Sequence, residues 1–142
     1  MDATLKEVNL KKSIKKFFVD GLPSWELNFD KILTPDLMDT DKRQWMSALL
    51  EGGSLGTVSS VQMSLFLFSR KDIEGQDLAA FWDEVMTLLY PGTFDLYNTS
   101  IIPWVKIGGV VIDVLSHSNS DETPDGTKMK WVQTELRWTA LW

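Results

Sequence analysis

Between Gln76 and Tyr90 the apolar residues Leu78, Phe81, Trp82, Val85, Leu88 and Leu89 fall at i, i+3, i+4, i+7, i+10 and i+11, while Asp77, Asp83 and Glu84 take the remaining surface. This is the period of a helix buried along one side, and Pro91-Gly92 ends it. A helix with a single apolar stripe must lay it on a second layer, and the rest of the chain offers mostly strands.

Residues 5–19 are expected to form the other helix. Thr4 and Glu7 have capping-box spacing, Leu10, Ile14, Phe17 and Phe18 recur at helical intervals, and Gly21 and Pro23 supply the stop. Trp25, Leu27 and Phe29 then alternate with Glu26, Asn28 and Asp30, the period of a half-buried strand. Residues 34–41 read as a loop. Strands over 44–50 and 57–69 follow, joined by Glu51-Gly52-Gly53-Ser54-Leu55-Gly56, whose glycines permit a sharp reversal. In the second, Val61, Met63, Leu65 and Leu67 share one face and Phe66 and Phe68 the other, so it should be central and covered on both sides.

After the 76–90 helix, residues 94–102 are irregular, with a short strand at Phe94–Tyr97. Strands over 104–116 and 128–141 flank a polar loop from Ser118 to Thr127 that contains the turn sequence Pro124-Asp125-Gly126. Gly108-Gly109, inside a strand, marks a bulge or a close backbone approach. On the last strand Val132, Thr134, Leu136, Trp138 and Ala140 alternate with Gln133, Glu135, Arg137 and Thr139, one face core and the other wet. The expected fold is therefore α+β, an antiparallel β-sheet with two α-helices packed on one face in the order α-β-β-β-α-β-β. No repeat or linker divides it, so residues 1–142 are expected to form a single domain.

Charge narrows the functional classes. Residues 1–16 hold five lysines against Asp2 and Glu7, a local +3 in a chain of net charge −6, so the other 126 residues carry −9. An acidic body repels phosphate and argues against a duplex-binding domain. There are no cysteines, which removes thiol nucleophiles and zinc–thiolate sites and suits a reducing cytoplasm. Neither a signal-peptide pattern nor an apolar run long enough for a membrane is expected to direct the chain to a bilayer.

The residue types that carry chemistry are sparse. His117 is the only histidine, and His117-Ser118-Asn119-Ser120-Asp121 contains the types of a Ser/His/Asp triad, but a solvated loop histidine is the plainer reading. Asp36, Asp39 and Asp41 lack the internal glycine and closing glutamate of an EF-hand loop. A dispersed carboxylate pair remains open as an enzymatic alternative. Gly52-Gly53 and Gly56 lie between strands, whereas a phosphate cradle leads from a strand into a helix. No catalytic residue, metal ligand or cofactor is expected.

Two features point to binding. Lys11, Lys12, Lys15 and Lys16 occupy the side of the first helix away from its apolar residues and offer a surface to an anionic partner. Seven tryptophans are many for 142 residues; Trp82 and Trp138 fall on core faces, while Trp45 and Trp131 fall on strand faces expected to be exposed, where aromatics favour protein interfaces or sugar stacking.

The element order and several local patterns resemble the tail terminator (tail completion) proteins of long-tailed bacteriophages. The resembling parts are the first helix ending at Phe17-Phe18, the strand Val61–Arg70, the acidic loop Asp72-Ile73-Glu74-Gly75 leading into the Gln76–Tyr90 helix, and the terminal strand through Glu135-Leu136-Arg137-Trp138-Thr139. The resemblance implies a virion protein, assembled in the host cytoplasm, that forms a hexameric ring. The ring would cap the tail tube, end its polymerisation and meet head-completion or neck proteins. A tail sheath is among the partners the resemblance allows, and genomic DNA would pass through the lumen without being read. Contacts with neighbouring subunits or the tube are then expected at Glu51, Gly52, Gly53, Ser54, Leu55 and Gly56 and on the exposed faces of the terminal strands. The alternative from another class is a small ligand- or carbohydrate-binding module that uses exposed tryptophans.

Overall fold

The computed structural model describes residues 7–22, 27–29, 43–54, 58–72, 74–118, 121–123 and 125–139. Expectations resting on Thr4, Pro23, Trp25, the 34–41 loop with Asp36, Asp39 and Asp41, Leu55, Gly56, Ala140 and Trp142 lie outside the described residues. The elements are α1 (Glu7–Gly21), β1 (Leu27–Phe29), β2 (Gln44–Ser54), β3 (Val58–Ser69), α2 (Gln76–Leu89), β4 (Thr93–Asn98), β5 (Val105–His117), β6 (Asp121–Glu122) and β7 (Lys128–Thr139). One sheet runs β1-β2-β3-β7-β5-β4, with β6 added beside β7.

The α+β fold agrees with the sequence, and three details refine it. β1 pairs parallel to β2 while every other pairing is antiparallel, so the sheet is mixed. Residues 93–98 form a full strand at the far edge. Gly52-Gly53 does not make the reversal between β2 and β3. Both glycines have positive φ, 55° and 124°, and accommodate a bulge between Glu51 and Ser54, beyond which β2 continues. A Cβ on Gly53 would sit 2.0 Å from the Ser60 carbonyl oxygen, so the position admits only glycine.

Side-chain alternation across the register builds one apolar face. Leu27 lies opposite Met46, Met46 opposite Leu67, Leu65 opposite Val132, Leu136 opposite Ile112, and Val110 opposite Phe94. Leu10, Ile14 and Phe18 of α1 and Leu78, Phe81, Val85 and Leu89 of α2 pack onto this face as one cluster, so both helices lie on the same side. The helices come close at one point, where Gly21 leaves room for Leu88; a Cβ there would fall 2.4 Å from its Cδ1.

The opposite face is buried only at one end. Trp45 lies opposite Phe68, and Phe68 opposite Met129. The Trp45 and Phe68 rings stack with centroids 5.1 Å apart, Phe66 and Met129 pack alongside, and the Arg70 guanidinium lies 4.9 Å from the Trp45 ring centre. Trp45 is therefore fully buried, not exposed as its strand position suggested. Its side of the sheet was read correctly; what alternation does not report is a second, local core on that side. Trp131, opposite Phe66, is half-buried at the margin of the same cluster. Elsewhere this face carries charged residues, with Arg137 beside Asp113 and Glu135, and the exposed Val111 opposite Arg137.

The loop before α2 caps the helix. The Asp72 carboxylate, itself buried, accepts hydrogen bonds from the backbone N–H groups of Asp77 (3.2 Å) and Leu78 (2.7 Å). This satisfies donors that the first helical turn cannot pair internally. Asp72→Ala is expected to lower the unfolding free energy by about 1–2 kcal/mol in urea denaturation; an unchanged midpoint would show that the cap is idle.

The loop after β6 is tied down similarly. Asp125 accepts hydrogen bonds from the Thr123 hydroxyl and from the Thr127 N–H (3.1 Å). The Thr123 hydrogen bond foremost, then the Thr127 N–H, holds the Asp125 carboxyl below the usual carboxylate range, with the Arg70 charge assisting. A depressed folded value means that the contribution to stability is present above the ordinary carboxylate pKa and lost as pH falls through the lower, folded one. Asp125→Asn should therefore flatten the acid limb of the stability–pH curve, followed by urea midpoints from about pH 5 downward; an acid limb identical to that of the parent chain would contradict the assignment.

Candidate protein-interaction site

The two long hairpins point the same way. Val58 at the start of β3 lies opposite Thr139 near the end of β7, and Trp138 lies opposite Val110 of β5. The β2–β3 turn, the β4–β5 turn and the end of β7 therefore share one end of the sheet. At the opposite end lie Asp72, before α2, and His117, Asp121, Glu122 and Asp125.

β4 is an edge strand, and its outer side is closed by α1 through polar groups. The Tyr97 N–H donates to the Ser13 hydroxyl oxygen at 3.0 Å, while the Thr99 N–H (3.0 Å) and Thr99 hydroxyl (2.8 Å) both donate to Asn9 Oδ1. Asn9 and Ser13 are each only 1% exposed. They stand one turn apart on a helical row beside the Leu10–Ile14–Phe18 stripe, so α1 meets β4 with hydrogen-bonding groups where a second strand would otherwise pair. Phe17 continues the row and stacks on Phe94 with ring centroids 5.1 Å apart.

This seal fixes the neighbouring face of α1 against the β4–β5 turn. Lys12, Lys15, Lys16, Val19 and Asp20 of α1 line a groove of about 630 Å³ whose far wall is Tyr97 and Trp104. The two aromatic rings are 6.1 Å apart and tilted by 48°, and the Lys16 ammonium lies 5.9 Å from the centre of the Tyr97 ring. Lys16 also pairs with Asp20 at 2.6 Å, an interaction that raises its pKa, so it stays charged. Lys11 turns towards Glu7 at 3.3 Å and does not line the groove. Lys12 and Lys15 are exposed and have no carboxylate in ion-pair range among the described residues. Just beyond the groove, at the tip of the turn, Ile101, Ile102 and Val105 are exposed, Ile102 to 90%. Among the described residues, Val105, Lys106 and Gly108 of β5 are paired with β4. The result is an apolar tip beside a cationic, aromatic groove.

Of the residues singled out from sequence, Lys12, Lys15 and Lys16 come together with an aromatic wall. Glu51, Gly52 and Gly53 are exposed on the β2–β3 hairpin, which β7 separates from β5 and which backbone pairing extends through Ser54. That hairpin is less open than expected. β3 is paired along its length with β7, and only β2 beyond Ala48 forms a sheet edge among the described residues. Trp45 belongs to the interior, and Trp131 lies towards the other end of the sheet.

His117 closes β5 instead of starting a loop, exposed and 5.3 Å from the half-buried Trp82 ring, whose other neighbour is the Lys130 ammonium at 3.9 Å. Its ring nitrogen Nδ1 meets the Ser118 carbonyl at 3.3 Å. The Ser118 hydroxyl accepts the Trp131 N–H at 3.0 Å. No three His, Cys, Asp or Glu side chains among the described residues are grouped as metal ligands. No helix among the described residues is long and apolar enough to cross a membrane.

The apolar tip and Trp104 are the features that sequence reasoning missed. Their signal was Ile101-Ile102-Pro103-Trp104-Val105, an apolar run at a strand-to-strand connection where polar turn residues are usual. No protein-family model matches the chain, and no curated protein compared with it matches either.

Replacing Asn9 by leucine should cost about 1–3 kcal/mol, because it strands the buried Thr99 N–H and hydroxyl. Thermal or urea unfolding checks this, and Trp104 emission should shift as the groove loosens. A variant with parent stability would mean that the Asn9–Thr99 hydrogen bonds contribute nothing to holding α1 on β4.

Proposed function

We propose that the chain is an architectural subunit: copies of it assemble into a ring at the head-proximal end of a phage tail. The ring ends growth of the tail tube and presents a surface to head-completion or neck proteins, with DNA passing through. The observation that carries this reading is the apolar tip Ile101, Ile102 and Val105, held out on a paired hairpin beside Trp104. Fully burying one isoleucine side chain is worth about 1.5–3 kcal/mol, and contiguous exposed apolar groups of this kind mark surfaces that become covered in an assembly. The shared direction of the two hairpins supports the same reading, since one end of the sheet then meets a partner at two points. The acidic body suits a lumen that lets DNA slide without adhering. Element order, from the amphipathic first helix to the terminal strand pair, supports the tail-terminator assignment within this class.

A ligand-binding module with tryptophans as stacking surfaces is the second reading. With Trp45 buried, it rests on Trp104 beside Tyr97 in the groove.

Light scattering and negative-stain images of the concentrated protein decide between them. The architectural reading predicts closed rings of about six copies, reduced to monomers by Ile102→Asp with an unchanged far-ultraviolet circular dichroism spectrum. A parent chain that stays monomeric at every concentration, with tryptophan emission that shifts on addition of sugars, would favour the ligand-binding module.

A further inference from the structure

Each end of the sheet carries both signs of charge, with Arg70, Lys71 and Lys128 at the end where Asp121 lies, but Lys12 and Lys15 at one end and Asp121 at the other stand without an ion-pair partner among the described residues. At the hairpin end, the groove presents Lys12 and Lys15 without carboxylate partners among the described residues, beside the charged Lys16 and the aromatic pair Tyr97 and Trp104. At the other end, past the last residue of β5, three carboxylates stand within five residues: Asp121, Glu122 and Asp125, all exposed. Glu122 shares its charge with Lys128 at 3.3 Å. Asp121 has no cation in ion-pair range among the described residues. Asp125, on which the Arg70 charge acts, lies between residues joined by hydrogen bonds from Thr123 to Thr127 and from Gly126 to Thr123 (both 2.9 Å).

The two surfaces cannot meet within one copy. β5 has 13 residues and runs from one to the other, a span of about 40 Å at the rise of an extended strand. Two different, complementary surfaces at opposite ends of a rigid body are what a head-to-tail interface needs, and such interfaces close into rings when the rotation per copy permits.

We infer that the groove between α1 and the β4–β5 turn receives the Asp121–Asp125 turn of a second copy of this chain. This rests on the ring reading above and names its interface. Lys12 and Lys15 would face Asp121 and Glu122 across it, Tyr97 and Trp104 would form its apolar floor, and Ile101 and Ile102 would be covered at its rim. A second copy is favoured over nucleic acid because the chain outside residues 1–16 carries −9, which repels phosphate and supplies the acidic partner.

Zero-length carbodiimide coupling of the unmodified protein, mapped by peptide mass spectrometry, tests this directly. It joins a lysine amine to a carboxylate only in contact, and any Lys12 or Lys15 bond to Asp121, Glu122 or Asp125 must come from two copies. The inference predicts such bonds in the oligomer fraction. It also predicts that Lys12→Glu/Lys15→Glu weakens self-association by about tenfold or more, and that adding Asp121→Lys/Glu122→Lys to the same chain restores it.

Rings whose cross-links join Lys12 and Lys15 to other carboxylates, or to none, would overturn this interface and leave the ring reading standing. A chain that remains monomeric in scattering and yields no intermolecular bond would overturn both. Quenching of tryptophan emission by a single-stranded oligonucleotide, abolished by Lys12→Glu/Lys15→Glu while the rings persist, would reassign the groove to nucleic acid.

Discussion

Asn9 and Ser13 reach from α1 to the outer edge of β4 and take up the backbone N–H groups of Tyr97 and Thr99. Much of the rest depends on that contact. An edge strand with open N–H and C=O groups is a template for further pairing, and here the helix occupies the place of the next strand. The groups involved are almost wholly buried, so leaving them unpaired would be costly, and the helix is fixed in both register and rotation. That rotation puts Leu10, Ile14 and Phe18 into the core and sets Lys12, Lys15 and Lys16 against Tyr97 and Trp104. The groove is thus a consequence of how an edge was closed.

The second constraint is a single sheet with both helices on one side. One face is filled by a continuous core from Leu27 to Phe94, and the other is filled only around Trp45 and Phe68. Away from that patch the second face carries charged residues such as Arg137, Asp113 and Glu135, paired across neighbouring strands. At the hairpin end Ile101, Ile102 and Val105 are exposed around the β4–β5 turn and Val58 at the start of β3, while Val111, Val114 and Leu115 are exposed along β5. Ile102 is the most exposed of these, which makes the turn an apolar foothold for a partner.

Much of this fold was legible in the residues, because its helices and long strands have unambiguous periods. The stripe from Leu78 to Leu89 and the alternation from Val132 to Trp138 each admit one interpretation. Strand parity put Phe66 and Phe68 on the second face correctly. Burial there was not legible, since Trp45 is covered by groups distant in sequence, Arg70 and Met129 among them. Gly52-Gly53 has the same composition in a turn as in a bulge, and only the register with β3 distinguishes them. The lysines of the candidate site were visible as a helical face. Their aromatic wall was not, because Tyr97 and Trp104 lie more than eighty residues away in a stretch without clear period. Asn9 and Ser13 were overlooked because polar residues beside an apolar stripe usually face water.

The groove exists only if α1 is locked to the edge of β4 in the free chain. Hydrogen exchange resolved to the Tyr97 and Thr99 amides measures this most directly, since Ser13 and Asn9 accept those protons. Protection comparable to that of the central β3 and β7 amides, at low protein concentration where no assembly forms, is the predicted result. Exchange as fast as that of the exposed turn at Ser100–Ile102 would contradict it, leaving β4 an open edge and the groove without a fixed wall.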